Sequence, residues 1–290
     1  IAIGMRFYDR VTGDLSKYAT QAKVIHIEID KAEINKNIHA DVAINADAKE
    51  ALTKLIPEIK AADHTTWIKS FARFKEDEYK KIVSRDWYPA TGKIKMGEVI
   101  HLLSELTKGE AIITTDVGQH QMVTSRYYEF KHPRTHVTSG GLGTMGFALP
   151  AAMGASMGAP NRQTVAIIGD GGFQMTLQEL GTISQYHIPV KIIVLNNCFL
   201  GMVRQWQQLF HEKRYSFTEM INPDFVKLVE AYSIPAMKVN ARENLPEALK
   251  AMLQHKGPYF VVVEVEKEEN VFPMVPAGGC VAERMGDAGG

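Results

Sequence analysis

Four apolar runs constrain this chain more than any other feature: "AIITT" (111–115), "VAIIG" (165–169), "KIIVL" (191–195) and "YFVVVEV" (259–265). A strand with one wet face alternates polar and apolar residues, so unbroken runs rich in Val and Ile belong to strands buried on both faces. Segments of helical character separate them, "FQMTLQELGTISQYH" (173–187), "PDFVKLVEAYS" (223–233) and "NLPEALKAMLQH" (244–255) among them. Strand and helix in alternation predict an α/β fold, a doubly wound parallel sheet with helices on both faces.

The domain that carries this sheet is expected over 93–290, opening on the amphipathic "IKMGEVIHLLSEL" and containing a Gly/Ala-rich helix over 143–159. Ahead of it, "IAIG" and "VIHIEID" (24–30) read as parallel strands of a truncated Rossmann-like domain over 1–60. The charged and aromatic stretch 61–92 reads as a helical linker ending in a Pro/Gly loop. The chain opens without an initiator Met, as if in mid-strand, and is expected to be cut from a longer polypeptide.

Two of the apolar runs end in small, oxygen-bearing residues: Gly169-Asp170-Gly171-Gly172 and Asn196-Asn197. Asp170 and Asn197 stand 27 residues apart, enough for one strand-helix-strand crossover between neighbouring parallel strands. A carboxylate and an amide carbonyl suit a hard cation such as Mg²⁺, which takes further ligands from water and phosphate. The glycines would let backbone N–H groups approach a phosphate. Gly, Asp and Asn are also ordinary turn residues, and spacing by itself leaves both readings open. Both stretches are expected to be loops at the carboxyl ends of strands, where such sheets bind ligands.

Thirty-three basic residues balance thirty-three acidic ones, which points to neither nucleic acid nor an anionic membrane surface as partner. No apolar run approaches the length of a membrane span. Two cysteines, Cys198 and Cys280, make neither a disulfide framework nor a zinc site, so a reducing, cytoplasmic setting is expected. Cys198 beside Asn197 has no base paired with it in a motif, and reads as an inert thiol.

The interval from "GDGG" to "NN" resembles the thiamine-diphosphate signature of the pyruvate-oxidase and acetolactate-synthase group. The likeness extends to "TDVGQHQM" (115–122), "SGGLGTMGFALPAAMGA" (139–155), "GMVRQWQ" (201–207) and "KEENVFPMVPAG" (267–278). These are similar to the large subunit of the biosynthetic acetolactate synthases, as are "GMRFYDRVTG" (4–13) and "VIHIEIDKAEINKN" (24–37) to its FAD-binding central domain.

That resemblance implies thiamine diphosphate, Mg²⁺ and FAD as cofactors, and condensation of pyruvate with a second 2-oxo acid as the reaction. It implies Asp170, Asn197 and the carbonyl of Phe199 as metal ligands. Val117, Gly118, Gln119, His120, Gly143, Met145, Gly169, Gly171, Gly172, Gly201 and Met202 would complete the cofactor site. Met145 would support the bent cofactor, and Trp206 with Met202 would line the substrate site. Without the family, Met145 reads as core filler, Trp206 as surface packing and His120 as a hydrogen-bonded loop residue. Arg6, Asp30, Asp41 and Val42 would touch FAD.

The family places its activating Glu on an amino-terminal domain, so no catalytic residue is assigned in this chain, and the chain alone is expected to be inactive. A homodimer or tetramer and a regulatory small subunit are the implied partners. Departures from the pattern are Gly172 where Ser is usual, Tyr8 where Asp is usual and Val123 where Trp is common. The alternatives are another thiamine-diphosphate-dependent decarboxylase, oxidase or carboligase, or a cofactor-binding module without catalysis.

Overall fold

In a computed structural model, which describes residues 1–280 together with 283 and 285, the chain divides into two units. One comprises Ile1–Ala72 and the residues from Phe272 onward; the other is Arg73–Val271.

The first unit holds a parallel three-stranded sheet of β1 (Ala2–Ile3), β2 (Ile25–Glu28) and β3 (Val42–Asn45), in that order. His26 of β2 is buried; its Nε2 lies 2.8 Å from the Met5 carbonyl and its ring 5.0 Å from Phe7. Asp47 caps the helix Ala48–Leu55 by accepting the N–H groups of Lys49 and Glu50, so the strand-to-helix turn is written locally.

The second unit is built on six parallel strands: β4 (Ile112–Thr115), β5 (His136–Thr138), β6 (Thr164–Gly169), β7 (Lys191–Asn196), β8 (Ala236–Val239) and β9 (Tyr259–Glu264). Their order across the sheet is β5-β4-β6-β7-β9-β8. The unbroken apolar runs of the sequence are the central strands, as expected.

Alternate residues of those strands face opposite layers. Ile113, Val165, Ile167, Ile193, Leu195, Val261 and Val263 pack with Val99, Ile100 and Leu103 of helix Met96–Thr107 and Leu249 of helix Leu245–Gln254. Ala166, Ile168, Ile192, Val194, Phe260 and Val262 pack with Leu149, Leu180, Ile183 and Val229 on the other side. A sheet covered on both faces is the doubly wound arrangement.

Three local expectations are corrected. "GDGG" is not a loop: Gly169 ends β6 and Asp170 already opens the helix Asp170–Thr176, whose first turn is buried. The Gly/Ala-rich helix begins only at Ala148 and runs to Gly158, because Gly143 and Gly146 take positive φ, a conformation that glycine adopts freely. The single helix read over 173–187 is two, Asp170–Thr176 and Glu179–Tyr186.

Candidate cofactor site

Chain order reverses between β4 and β6, since the chain leaves β4 for the edge strand β5 and returns to β6 on the opposite side. Ligand sites of open α/β sheets lie outside the carboxyl ends of strands at such a point. Here β4, β6 and β7 discharge into 116–120, 169–172 and 197–199, and the register sets Gly169 opposite Leu195. Together they line a cavity of about 270 Å³, walled by 117–122, Met145, 169–172, Asn197 and 199–203, with Met96 and Leu195. Thirteen of the fourteen cofactor candidates thus come together in one lining, with Gly143 outside it.

Among the described residues, Asp170 is the only carboxylate in that lining. It is 1% exposed, and burial raises its pKa to about 6 against the opposing pull of its hydrogen bonds. Oδ1 accepts the Gly171 N–H at 3.1 Å, and Oδ2 accepts the amide of Asn222 at 2.7 Å. No Lys or Arg lines the cavity among the described residues; burying a carboxylate away from basic side chains is costly, and a bound cation would offset that cost.

Across from it, Asn197 is 5% exposed and its Oδ1 accepts the Phe199 N–H at 3.1 Å, leaving a second lone pair. Among the described residues no three His, Cys, Asp or Glu side chains converge on a metal. Asp170, Asn197 and Phe199 all line the cavity, and a carboxylate, an amide oxygen and a main-chain carbonyl would suit a hard cation completed by phosphate and water.

His120, 6% exposed, is the second residue of the helix Gln119–Tyr127, and among the described residues its Nε2 has no partner. Burial depresses its pKa to about 4, so the imidazole is neutral at pH 7. A neutral imidazole with an orphaned nitrogen in an anion-sized cavity can donate one N–H to a phosphate oxygen. Because folding favours the neutral form, the ring should cost stability only as pH falls from about 6.5 to about 4. An NMR titration of the ring should show no charging above pH 5; a midpoint near 6.5 would contradict this environment.

Asp116 ends the β4 turn fully buried. Its Oδ1 accepts the Phe147 N–H at 3.1 Å and its Oδ2 is unpartnered. A Cβ added at Gly172 would land on that Oδ2, so Asp116 occupies the space a side chain at 172 would need. A side chain at 172 would require that carboxylate to turn aside.

Met202 lines the cavity, whereas Trp206 lies one turn further along helix Gly201–Phe210, half-buried against Phe210 at 4.8 Å and outside the lining. Cys198 has its thiol 3.5 Å from Asn196 Oδ1, and burial pushes its pKa up, the opposite of an activated nucleophile. In the first unit, Asp30 accepts the Ala32 N–H and Asp41 the Val24 N–H. The Arg6 guanidinium lies 4.5 Å from the Tyr8 ring centre, and Val42 is exposed on β3.

Three contributors were not anticipated. Asn222 bonds Asp170 and, at 2.8 Å, Asn196, and accepts Gln174 at 2.9 Å. Gln205 and Arg204 are fully buried behind the cavity wall. Asn222 carries no signal in the sequence. For Gln205 the signal was present: it is the residue before Trp206 on a helix, and so faces a different way.

The profile described as "Thiamine pyrophosphate enzyme, C-terminal TPP binding domain" matches residues 116–263, and that for the central domain of the same enzymes matches 1–55. The acetolactate synthase large subunit of Buchnera aphidicola subsp. Schizaphis graminum is 42% identical over 97% of this chain and 50% of its own length. That of Lactococcus lactis subsp. lactis is 43% identical over 99% of this chain and 49% of its own. The chloroplastic acetolactate synthase 1 of Oryza sativa subsp. japonica is 42% identical over 100% and 46%. The chain thus spans about half the length of the curated relatives it matches. The C-terminal profile covers just over half of the chain and includes most of the cavity wall, so the chain belongs to the thiamine pyrophosphate enzymes.

Proposed function

We propose that this chain is the C-terminal part of an acetolactate synthase, which condenses pyruvate with pyruvate or 2-oxobutyrate, with loss of CO₂, in branched-chain amino-acid biosynthesis. What carries this reading is the cavity at the ends of β4, β6 and β7, in a chain 42–43% identical along nearly its whole length to acetolactate synthase large subunits. In this reading 1–60 is the end of a central domain, 61–92 a linker, and the cofactor-binding domain runs from 93 onward.

Thiamine diphosphate, when bound, supplies the electron sink that lets a 2-oxo acid lose CO₂ and join a second one. The residues of this chain do the holding. Asp170, Asn197 Oδ1 and the Phe199 carbonyl would bind Mg²⁺, while the main-chain N–H of Gln119, neutral His120 and the backbone of Gly171 and Gly172 would face the diphosphate. Met145, in the cavity wall, would support the cofactor. Met202 stands on the acceptor side, with Trp206 one turn behind it; a preference for ethyl over methyl there is worth about 1–3 kcal/mol.

FAD is part of the same proposal, for the longer protein. Asp30 and Asp41 already accept backbone N–H groups, so they could offer FAD only their remaining lone pairs. No step is derived through it. A homodimer or tetramer, the small subunit that the relatives' name implies, and a cytoplasmic location belong to the proposal as well. Among the described residues no helix is long and apolar enough to cross a membrane.

Among the described residues no Glu lines the cavity, which favours a second reading for the isolated chain: it binds cofactor without turning over. The full-length protein with thiamine diphosphate and Mg²⁺ should form acetolactate from pyruvate, and no acetolactate would overturn the assignment. The 290-residue chain alone should be slower by at least about 100-fold, the usual worth of a missing acid–base group. Comparable rates would contradict the need for a Glu from outside.

A further inference from the structure

Behind the cavity, a buried run of amides leads from the segment after β9 to the proposed cation site. Val271 donates its N–H to Gln205 Oε1 at 3.0 Å and accepts Gln205 Nε2 at 3.0 Å. Gln119 Nε2 donates to the same Gln205 Oε1 at 2.9 Å and to the Glu269 carbonyl at 2.8 Å. Both N–H bonds of the Gln119 amide are thereby spent, and its Oε1 must face the other way. There it meets the amide Nδ2 of Asn197 at 3.5 Å, the long end of hydrogen-bond range. A Cβ at Gly201 would overlap Gln119 Oε1, so the helix start leaves that oxygen room.

An amide can be a metal ligand only if its oxygen, not its nitrogen, faces the ion. Turned over, Asn197 would set its oxygen against Gln119 Oε1 and lose the Phe199 N–H. We propose that Gln205 is a positioning residue: through Gln119 it fixes the Asn197 amide so that Oδ1 is presented to the cation. The proposal rests on the reading of this cavity as a Mg²⁺–diphosphate site. Gln205 itself lies outside the cavity lining.

The test exploits a difference between an amide and a carboxylate. A carboxylate presents an oxygen whichever way it turns, so Asn197→Asp should make orientation irrelevant. Mg²⁺ is titrated calorimetrically into the 290-residue chain at saturating thiamine diphosphate and fixed pH. With Asn197 present, Gln205→Met should weaken Mg²⁺ roughly 10-fold, at the lower end of the 10–100-fold typical when a ligand's outer partner is lost. In the Asn197→Asp background the same change should cost under about 2-fold, because the pair would be uncoupled.

Gln205→Glu keeps an acceptor for Gln119 and Val271 and should retain most of the affinity, should the Met variant fold too poorly to titrate. Equal losses in both backgrounds would mark Gln205 as merely structural and overturn the proposal, as would no loss in either. Failure of the unmodified chain to bind Mg²⁺ with thiamine diphosphate would overturn the site reading itself, and this inference with it.

Discussion

Asp170→Asn is expected to abolish Mg²⁺-dependent binding of thiamine diphosphate and, at the same time, to make the cofactor-free chain more stable. The two effects have one cause. Among the described residues Asp170 is the sole carboxylate of the cavity lining, which holds no Lys or Arg, and burial holds its pKa at about 6. The folded state therefore binds its proton more tightly than the unfolded state does. Stability contributed by the neutral form is present below about pH 4 and is lost as pH climbs to about 6, at a cost on the order of 3 kcal/mol.

Asparagine cannot ionise but gives up one of the two acceptors, at a cost of about 1–3 kcal/mol, so it should recover the remainder at pH 7, visible as a modestly higher melting temperature and a flat stability profile across pH 4–6. Binding should fall at least about 100-fold, near 3 kcal/mol, because an amide replaces the one charged ligand. A variant that binds normally, or one that is simply destabilised, would contradict this account of Asp170.

Phe173→Ala is expected to be the most destabilising single change near the site. Phe173 is fully buried, 5.4 Å from the Phe225 ring and 5.2 Å from that of Phe260 on β9. It sits one turn into the helix that Asp170 opens, so it nails the ligand-bearing turn to the core beneath it. Truncation should cost about 3–5 kcal/mol from lost burial and the cavity left behind, measured by denaturant unfolding, whereas Phe173→Leu should cost much less. Cofactor affinity should fall with Phe173→Ala even where the chain remains folded, since the Asp170 turn loses its anchor. A stability loss under about 1 kcal/mol would contradict the packing described.

The parts of this molecule legible in sequence are those governed by local periodicity. The apolar runs at 165–169, 191–195 and 259–265 became β6, β7 and β9 because buried parallel strands need no polar residues. The spacing of Asp170 and Asn197 matched neighbouring strands, and β6 and β7 do pair. Where the reading slipped, tertiary packing had overridden local preference. "GDGG" has turn composition, yet Phe173 and the rest of its first turn are held in the core and make it helical.

Asn222 lies 52 residues from the carboxylate it orients, and nothing in "INPD" announces that partnership. Gln205 was hidden by its neighbour: Trp206 drew attention as a substrate contact, while the inward-facing residue of the pair is the glutamine. Short β5 (His136–Thr138) has too few residues for any period to register.

The most direct test of the central claim is where a cation settles. Crystals of the chain grown with thiamine diphosphate and Mn²⁺ in place of Mg²⁺ would locate it by anomalous scattering. A single peak at roughly 2.1–2.3 Å from the Asp170 carboxylate, Asn197 Oδ1 and the Phe199 carbonyl, with diphosphate oxygens completing the shell, is the predicted result. Ordered cofactor in the cavity with no peak there, or a peak elsewhere, would contradict it.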